Sequence, residues 1–344
     1  VGRIDAVELR VVRLPLVRPF VTAHGPTVER LVLLVRVIGP DSEGWGECAA
    51  EEVPTYWYET VETACQVIPL LAVGSPVHGH PMAKAALEMA MLDATLREQG
   101  VSLAQHLGGT RTAIDATATA GFDDDIAEFV TAGYRSVKVK VSPDRLPSEL
   151  PVPLPISLVG MQLDANGSFA DCPELLDHLD DLNLVLIEQP LAVDDLTGHA
   201  ALAQRLHTPI CLDESLSSVG ALDAAIALGA IDVACIKPSR LGGLAAAKDA
   251  VSLCVTAGVG AKVGGMLETG VGRAAALALA SLPGFTLPAD LSASGRYWKH
   301  DVTAPFVLDG DGRLPVPQGP GLGVDVRMDV VDHYTTSVEL IPLD

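Results

Sequence analysis

Basic residues are scarce in this 344-residue chain: Lys and Arg number 23 against 44 Asp and Glu, a formal net charge of −21. Such a surface repels phosphate backbones and anionic membranes, so no nucleic-acid or membrane partner is expected. The six cysteines, Cys48, Cys65, Cys172, Cys211, Cys235 and Cys254, form no C-x-x-C pair, and no Cys/His cluster has zinc-ligand spacing. They read as reduced thiols of a cytoplasmic protein. No apolar run reaches the roughly 18 residues that a membrane span needs. Residues 1–10 alternate like a strand and lack a signal-peptide core. No G-x-G-x-x-G follows the first strand-like run of the second half, which disfavours a dinucleotide-binding doubly wound sheet.

What is present is a globular composition, 49% hydrophobic and 19% charged, enough for a large core. Residues 4–14 and 31–38 alternate apolar and polar, the pattern of antiparallel strands. Gly44-Trp45-Gly46-Glu47 reads as a Gly-rich turn. Residues 82–99 read as a helix, with Ala86, Met89, Ala90 and Leu96 among its apolar positions and Gly100 as its stop. Residues 1–110 are therefore expected to form an α+β unit. From Thr112 onward, β-like runs at 113–120, 136–141, 161–165, 184–188, 209–213, 232–237, 259–263 and 285–288 alternate with helix-like segments. Eight such units predict a parallel β/α barrel over 111–305. Pro143, Pro147, Pro151, Pro153 and Pro155 exclude a long helix from one crossover. The tail, 306–344, returns to short strands and is expected to pack back on the first unit.

Charged residues end the middle strands. Lys140, Asp164, Glu188, Asp213 and Lys237 follow one another at intervals of 24, 24, 25 and 24 residues. One βα unit is about that long, so each side chain falls at the same level on the C-terminal rim, where barrels do chemistry. A single Asp after a strand is ordinarily a helix cap. Three carboxylates on adjacent strands repel one another unless a cation joins them, and three oxygen ligands suit octahedral Mg²⁺. The flanking lysines read either as structural ion pairs or as an acid/base pair on either side of a substrate carbon. A metal holding a carboxylate would stabilise the enolate formed when the α-proton leaves.

The motifs K-V-K at 138–140, L-D-A-N at 163–166, I-E-Q-P at 187–190, L-D-E-S at 212–215 and I-K-P-S-R at 236–240 resemble the muconate-cycloisomerase group of the enolase superfamily. G-G-M-L-E-T-G-V-G-R at 264–273, L-P-A-D-L-S-A-S at 287–294, P-F-V-T-A-H-G at 19–25 and G-W-G-E-C at 44–48 are similar to the branch containing o-succinylbenzoate synthases and N-succinylamino acid racemases. The resemblance implies a modified TIM barrel, (β/α)7β, with an α+β capping domain built from the N-terminal segment and the C-terminal tail. It implies that Asp164, Glu188 and Asp213 bind Mg²⁺ (with Mn²⁺ as a substitute), that Lys140 and Lys237 are the acid and base, and that Lys138 helps neutralise the substrate carboxylate. The implied partner is a small carboxylate with a succinyl arm, and the implied assembly a homo-oligomer.

Arg240 matches the K-P-x-R pattern of racemase members, and an ion pair from it to Glu214 or another rim carboxylate is equally expected. Phe20, Thr22, His24 and Tyr56 are candidates to close the pocket from the cap, with Met266 and Leu267 below. Asn166, Glu268, Ser292 and Ser294 are candidates for polar substrate contacts. Lys262, inside the seventh strand, is expected to face outward in a salt bridge. Mandelate-racemase-like enzymes use a His on the seventh strand, and no His lies between Val255 and Gly270. Dipeptide epimerases carry Asp-x-Asp near the eighth strand, where this chain has Asp290-Leu291-Ser292. Muconate cycloisomerase shares the lysine pair and the metal trio and stays open. A non-catalytic barrel scaffold would be expected to have lost at least one of the five key residues.

Overall fold

The computed structural model describes residues 3–22, 25–122, 124–146 and 160–343. The chain opens with three strands, β1 (Ala6–Thr22), β2 (Gly25–Ile38) and β3 (Glu43–Cys48), followed by α1 (Val61–Ala72), α2 (Pro81–Gln99) and α3 (Leu103–Leu107). Along β1 and β2 alternate residues enter different cores. Val7, Leu9, Leu33, Val35 and Val37 pack under α1 and α2. Val12, Leu14, Val32 and Leu34 join the main core that runs into the barrel. The sheet is therefore buried on both faces.

Gly44-Trp45-Gly46-Glu47 is not a turn: it lies inside β3, paired antiparallel with β2. Its glycines serve close packing. A Cβ on Gly44 would come within 2.2 Å of the Ala90 carbonyl oxygen, and one on Gly46 within 2.0 Å of that of Ala86. Ala86, Ala90 and Ala94, one turn apart on α2, present the small surface that lets helix and strand approach so closely. Gly100 ends α2 in the left-handed conformation.

The second half contains β4 (Ala113–Asp115), β5 (Thr117–Ala120), α4 (Ile126–Thr131), β6 (Ser136–Lys140), β7 (Gly160–Asp164), α5 (Asp177–Asp180), β8 (Leu186–Glu188), α6 (Leu196–Arg205), β9 (Ile210–Leu212), α7 (Val219–Ala227), β10 (Val233–Ile236), α8 (Pro238–Leu241), α9 (Leu244–Ala257), β11 (Gly260–Val263) and α10 (Gly270–Ala280). Seven of these strands form one parallel sheet in the order β11-β10-β9-β8-β7-β6-β5. The chain then ends with β12 (Arg313–Pro315), α11 (Met328–Tyr334) and β13 (Thr335–Pro342), and β13 pairs antiparallel with β1.

Two strand expectations change. The run 113–120 divides at Ala116: β4 pairs antiparallel with β12, and only β5 enters the barrel. The run 285–288 forms no regular strand. Thr286 and Leu287 donate to the Ala261 carbonyl, Asp290 donates to Val263, and Ala289 donates to Asp115 and bridges Ala116 in parallel. This segment closes the curled sheet, but Pro288 has no N–H to continue a ladder. Residues 147–159 of the proline-rich crossover lie outside the described residues.

Candidate active site

Strand register builds the site. Lys140 pairs across to Asp164, and Asp164 to Glu188. Asp213 and Lys237 each stand one residue beyond β9 and β10. Val137, Leu163, Ile187, Leu212 and Ile236, at the alternate positions, belong to the apolar core, so the charged neighbours turn the other way, into the barrel. Because β7, β8 and β9 lie between β6 and β10 in the sheet, the three carboxylates are flanked by the two lysines.

Each carboxylate is held by cations. Lys138 Nζ lies 2.9 Å from Asp164, 2.7 Å from Glu188 and 2.7 Å from Asp290. Lys140 Nζ donates to Asp164 Oδ2 at 2.7 Å and to Asn166 Oδ1 at 2.5 Å. Asn166 takes a left-handed φ of 44° just past β7, and this turns its amide between Lys140 and Glu214, to which its Nδ2 donates at 2.7 Å. Lys237 Nζ donates to Asp213 Oδ2 at 2.8 Å and to the Tyr56 hydroxyl at 2.9 Å. Arg240, fully buried on α8, donates to Asp213 Oδ1 at 2.6 Å. Its expected ion pair is thus with Asp213, the rim carboxylate beside Glu214. Five carboxylates, counting Glu214 and Asp290, meet five cations here, Lys262 included.

Burial disfavours every one of these charges, and their mutual attraction answers it. Burial raises the Asp164 carboxyl, yet Lys138 and Lys140 overcome it and hold Asp164 below the usual carboxylate range. Asp213 too is held well below the usual carboxylate range, because Arg240 and Lys237 outweigh burial. Burial pushes the Glu188 carboxyl up, while Lys138 and Lys262 pull it down. The Lys237 ammonium is lowered by burial but carried well above its ordinary value by Asp213 and Tyr56. Burial raises the Tyr56 phenol well above its ordinary value.

The side chains open on a cavity of about 430 Å³ between cap and barrel. Of the candidates from the sequence, Lys138, Lys140, Asp164, Asn166, Asp213 and Lys237 line it from the barrel. Met266, Leu267, Glu268 and Ser292 line it near the closing segment, and Phe20 and Tyr56 line it from the cap. Glu188 and Arg240 sit behind this surface, both fully buried. Ser294 does not reach the cavity: its hydroxyl donates to Asp301 Oδ2 at 2.6 Å and accepts from the Phe306 N–H, a structural contact. Thr22 is the last residue of β1; its side chain and His24 lie outside what the structure describes.

Lys262 corrects an expectation. It does not face outward. Ala261 and Val263 are the residues of β11 that pack into the apolar core, and the strand's alternation therefore sends Lys262 inward. There it is wholly inaccessible and ion-paired with Glu188 and Asp290. Asp290 and Arg30 were missed as site residues. Asp290 ends the barrel-closing segment as the other carboxylates end theirs, which was a readable signal. Arg30 reaches the cavity from β2, donating to the Ala49 carbonyl at 2.6 Å, and no spacing in the sequence announces it.

Residues 122–330 match the family described as Enolase C-terminal domain-like. The chain belongs to the enolase superfamily. This superfamily member is 43% identical to an N-succinylamino acid racemase of Amycolatopsis sp, over 97% of this chain and 98% of that one. It is 38% identical to the o-succinylbenzoate synthase of Geobacillus stearothermophilus, over 96% of each. A crystal structure of an enolase-superfamily protein from Listeria innocua Clip11262 superposes with a TM-score of 0.90 at 31% identity, covering 99% of both chains. A muconate lactonizing enzyme from Pseudomonas fluorescens gives the same TM-score at 24% identity, a likeness of fold.

Proposed function

We propose that this protein moves the proton alpha to a carboxylate, racemising an N-succinylamino acid, and that the same site accepts dehydration to o-succinylbenzoate, a step of menaquinone biosynthesis. The observation that carries this reading is the placement of Lys140 and Lys237 on either side of the three carboxylate strands, both facing one cavity. A planar carbanionic carbon between them has one lysine on each face. In racemisation one lysine, as the free amine, takes the α-proton, and the other, as the ammonium, delivers a proton to the opposite face. In the dehydration, Lys140 would take the proton and return it to the departing hydroxyl, with Lys237 a cation beside the developing negative charge. Similarity at comparable identity to relatives named for the one activity and to relatives named for the other supports the pairing of the two.

Asp164, Glu188 and Asp213 offer only hard carboxylate oxygens, the donor set for Mg²⁺ or Mn²⁺, and we assign the metal to them. Bound there, the cation would supply Lewis-acid stabilisation of the charge that develops on the substrate carboxylate. A cation held there would compete with Lys237 for Asp213, and burial and the nearby Arg240 would then favour the free amine of Lys237. Arg240 thereby acts on the base through Asp213 and Tyr56. Lys138 keeps its charge against the substrate carboxylate. All six cysteines are free, as in a reducing cytoplasm.

The test is proton NMR in D₂O with Mg²⁺ and N-succinyl-L-phenylalanine, with an EDTA control. The expected result is metal-dependent loss of the α-proton signal with appearance of the D-enantiomer. Lys140→Ala and Lys237→Ala should each abolish racemisation. No exchange in folded, metal-loaded protein would refute the racemase reading, and inactivity on the dehydration substrate as well would refute both.

A further inference from the structure

A buried lysine with no place in the proton transfer sits beneath this site. Lys262 Nζ lies 2.5 Å from Glu188 Oε2 and 3.0 Å from Asp290 Oδ2, and donates to Gln162 Oε1 at 2.7 Å. It is wholly inaccessible and does not line the cavity, so it cannot touch substrate. A polar chain continues below it: Gln162 Nε2 donates to the Ser136 hydroxyl at 3.3 Å, and Thr117 donates to the same oxygen at 3.0 Å. The interior of this barrel, which apolar side chains ordinarily fill, holds an ordered polar column with an ammonium in it, beside the apolar cluster of Leu186, Cys211, Val233 and Cys235. Glu188 is consequently gripped twice, by Lys138 on Oε1 from the mouth side and by Lys262 on Oε2.

We propose that Lys262 is a positioning residue for Glu188: a permanent internal counter-ion that fixes one carboxylate oxygen, aims the other at the metal, and weakens the site's hold on a divalent cation. This rests on the assignment of Asp164, Glu188 and Asp213 as metal ligands. The argument is one of charge. A buried carboxylate without a partner is costly. With Lys262 in place, Glu188 and Asp290 are neutralised by the fold, so a divalent cation must share Glu188 with an ammonium that cannot leave. Without it, four cations face five carboxylates, and the metal becomes the remaining means of neutralising the cluster.

The experiment measures Mn²⁺ binding alone, by electron paramagnetic resonance of the free ion, together with melting in EDTA and in Mn²⁺. Wild type, Lys262→Arg and Lys262→Met are compared. Lys262→Met should bind Mn²⁺ about tenfold or more tightly than wild type, as removal of a fixed charge from a poorly screened site requires. It should melt lower in EDTA and be raised further by Mn²⁺ than wild type is. Lys262→Arg, which keeps the charge, should stay close to wild type. If Lys262→Met folds only with Mn²⁺, the same conclusion follows, and Lys262→Gln supplies the binding constant. A Mn²⁺ affinity in Lys262→Met equal to or weaker than that of wild type overturns the proposal, because a merely structural lysine would alter melting without tightening the metal. If wild type itself takes up no Mn²⁺, the metal assignment falls first.

Discussion

Replacing Glu47 by Gln should stabilise the protein at pH 8 but not at pH 5. Glu47 reaches from β3 across to the start of α10. Its carboxylate accepts from the Thr269 N–H at 2.9 Å, from the Thr269 hydroxyl at 2.6 Å and from the Gly272 N–H at 2.8 Å. Burial nevertheless wins: it raises the Glu47 carboxyl from 4.5 to about 7, Glu268 adds to the effect, and the bonds from Thr269 and Gly272 only moderate it. Since the folded-state value lies above the unfolded one, the folded protein holds the extra proton between them. Its stability falls as pH rises from 4.5 through about 7. At about 1.4 kcal/mol per tenfold change in proton binding, that window corresponds to about 3 kcal/mol. The amide of Gln resembles the protonated acid and does not titrate. Urea unfolding in EDTA should therefore give near-equal stabilities at pH 5, and an advantage for Glu47→Gln of about 3 kcal/mol at pH 8. Every other titrating group is common to both proteins and cancels. A difference that stays constant with pH, or favours wild type at pH 8, would show that the helix N-terminus outweighs desolvation at this residue.

Glu88 should prove a remote cap. Gly243, the residue before α9, offers no side chain, and Glu88 on α2 instead accepts from Leu244 and Ala245 at 2.5 and 3.2 Å. Glu88→Ala should cost about 1–2 kcal/mol in urea unfolding and speed amide exchange at those two residues. Gly46→Ala should be far more damaging than an ordinary surface change, because the new methyl would meet the Ala86 oxygen at 2.0 Å and the Ala90 nitrogen at 2.9 Å. A loss of about 3 kcal/mol is expected from such overpacking, readable as a lowered melting temperature. Asp213→Asn should weaken Mn²⁺ binding and racemisation together, since it removes both the proposed ligand charge and the partner of Lys237 and Arg240; unchanged Mn²⁺ uptake would count against the assigned ligand set.

The repeat of about one βα unit between Lys140, Asp164, Glu188, Asp213 and Lys237 was legible in sequence, because chain length per unit fixes the level of each strand end. The helix stop at Gly100 was legible because only local backbone conformation was at stake. The direction of Lys262 was misread because charge was taken as a sign of exposure, when the apolar residues on either side of it already claim the helix-facing surface. The turn expected at Gly44-Trp45-Gly46 became a strand because its glycines answer to α2, some 40 residues later, and not to local bending. Composition, strand periodicity and the spacing of charges, all properties of neighbouring residues or of a regular unit, were determined by the sequence itself. The tertiary structure alone decided which oxygens each ammonium holds, that Tyr56 of the cap touches Lys237 of the barrel, and that Glu47 caps a helix more than 200 residues away. Those contacts depend on how β-sheet curvature and helix packing bring distant segments together, a length no local pattern records.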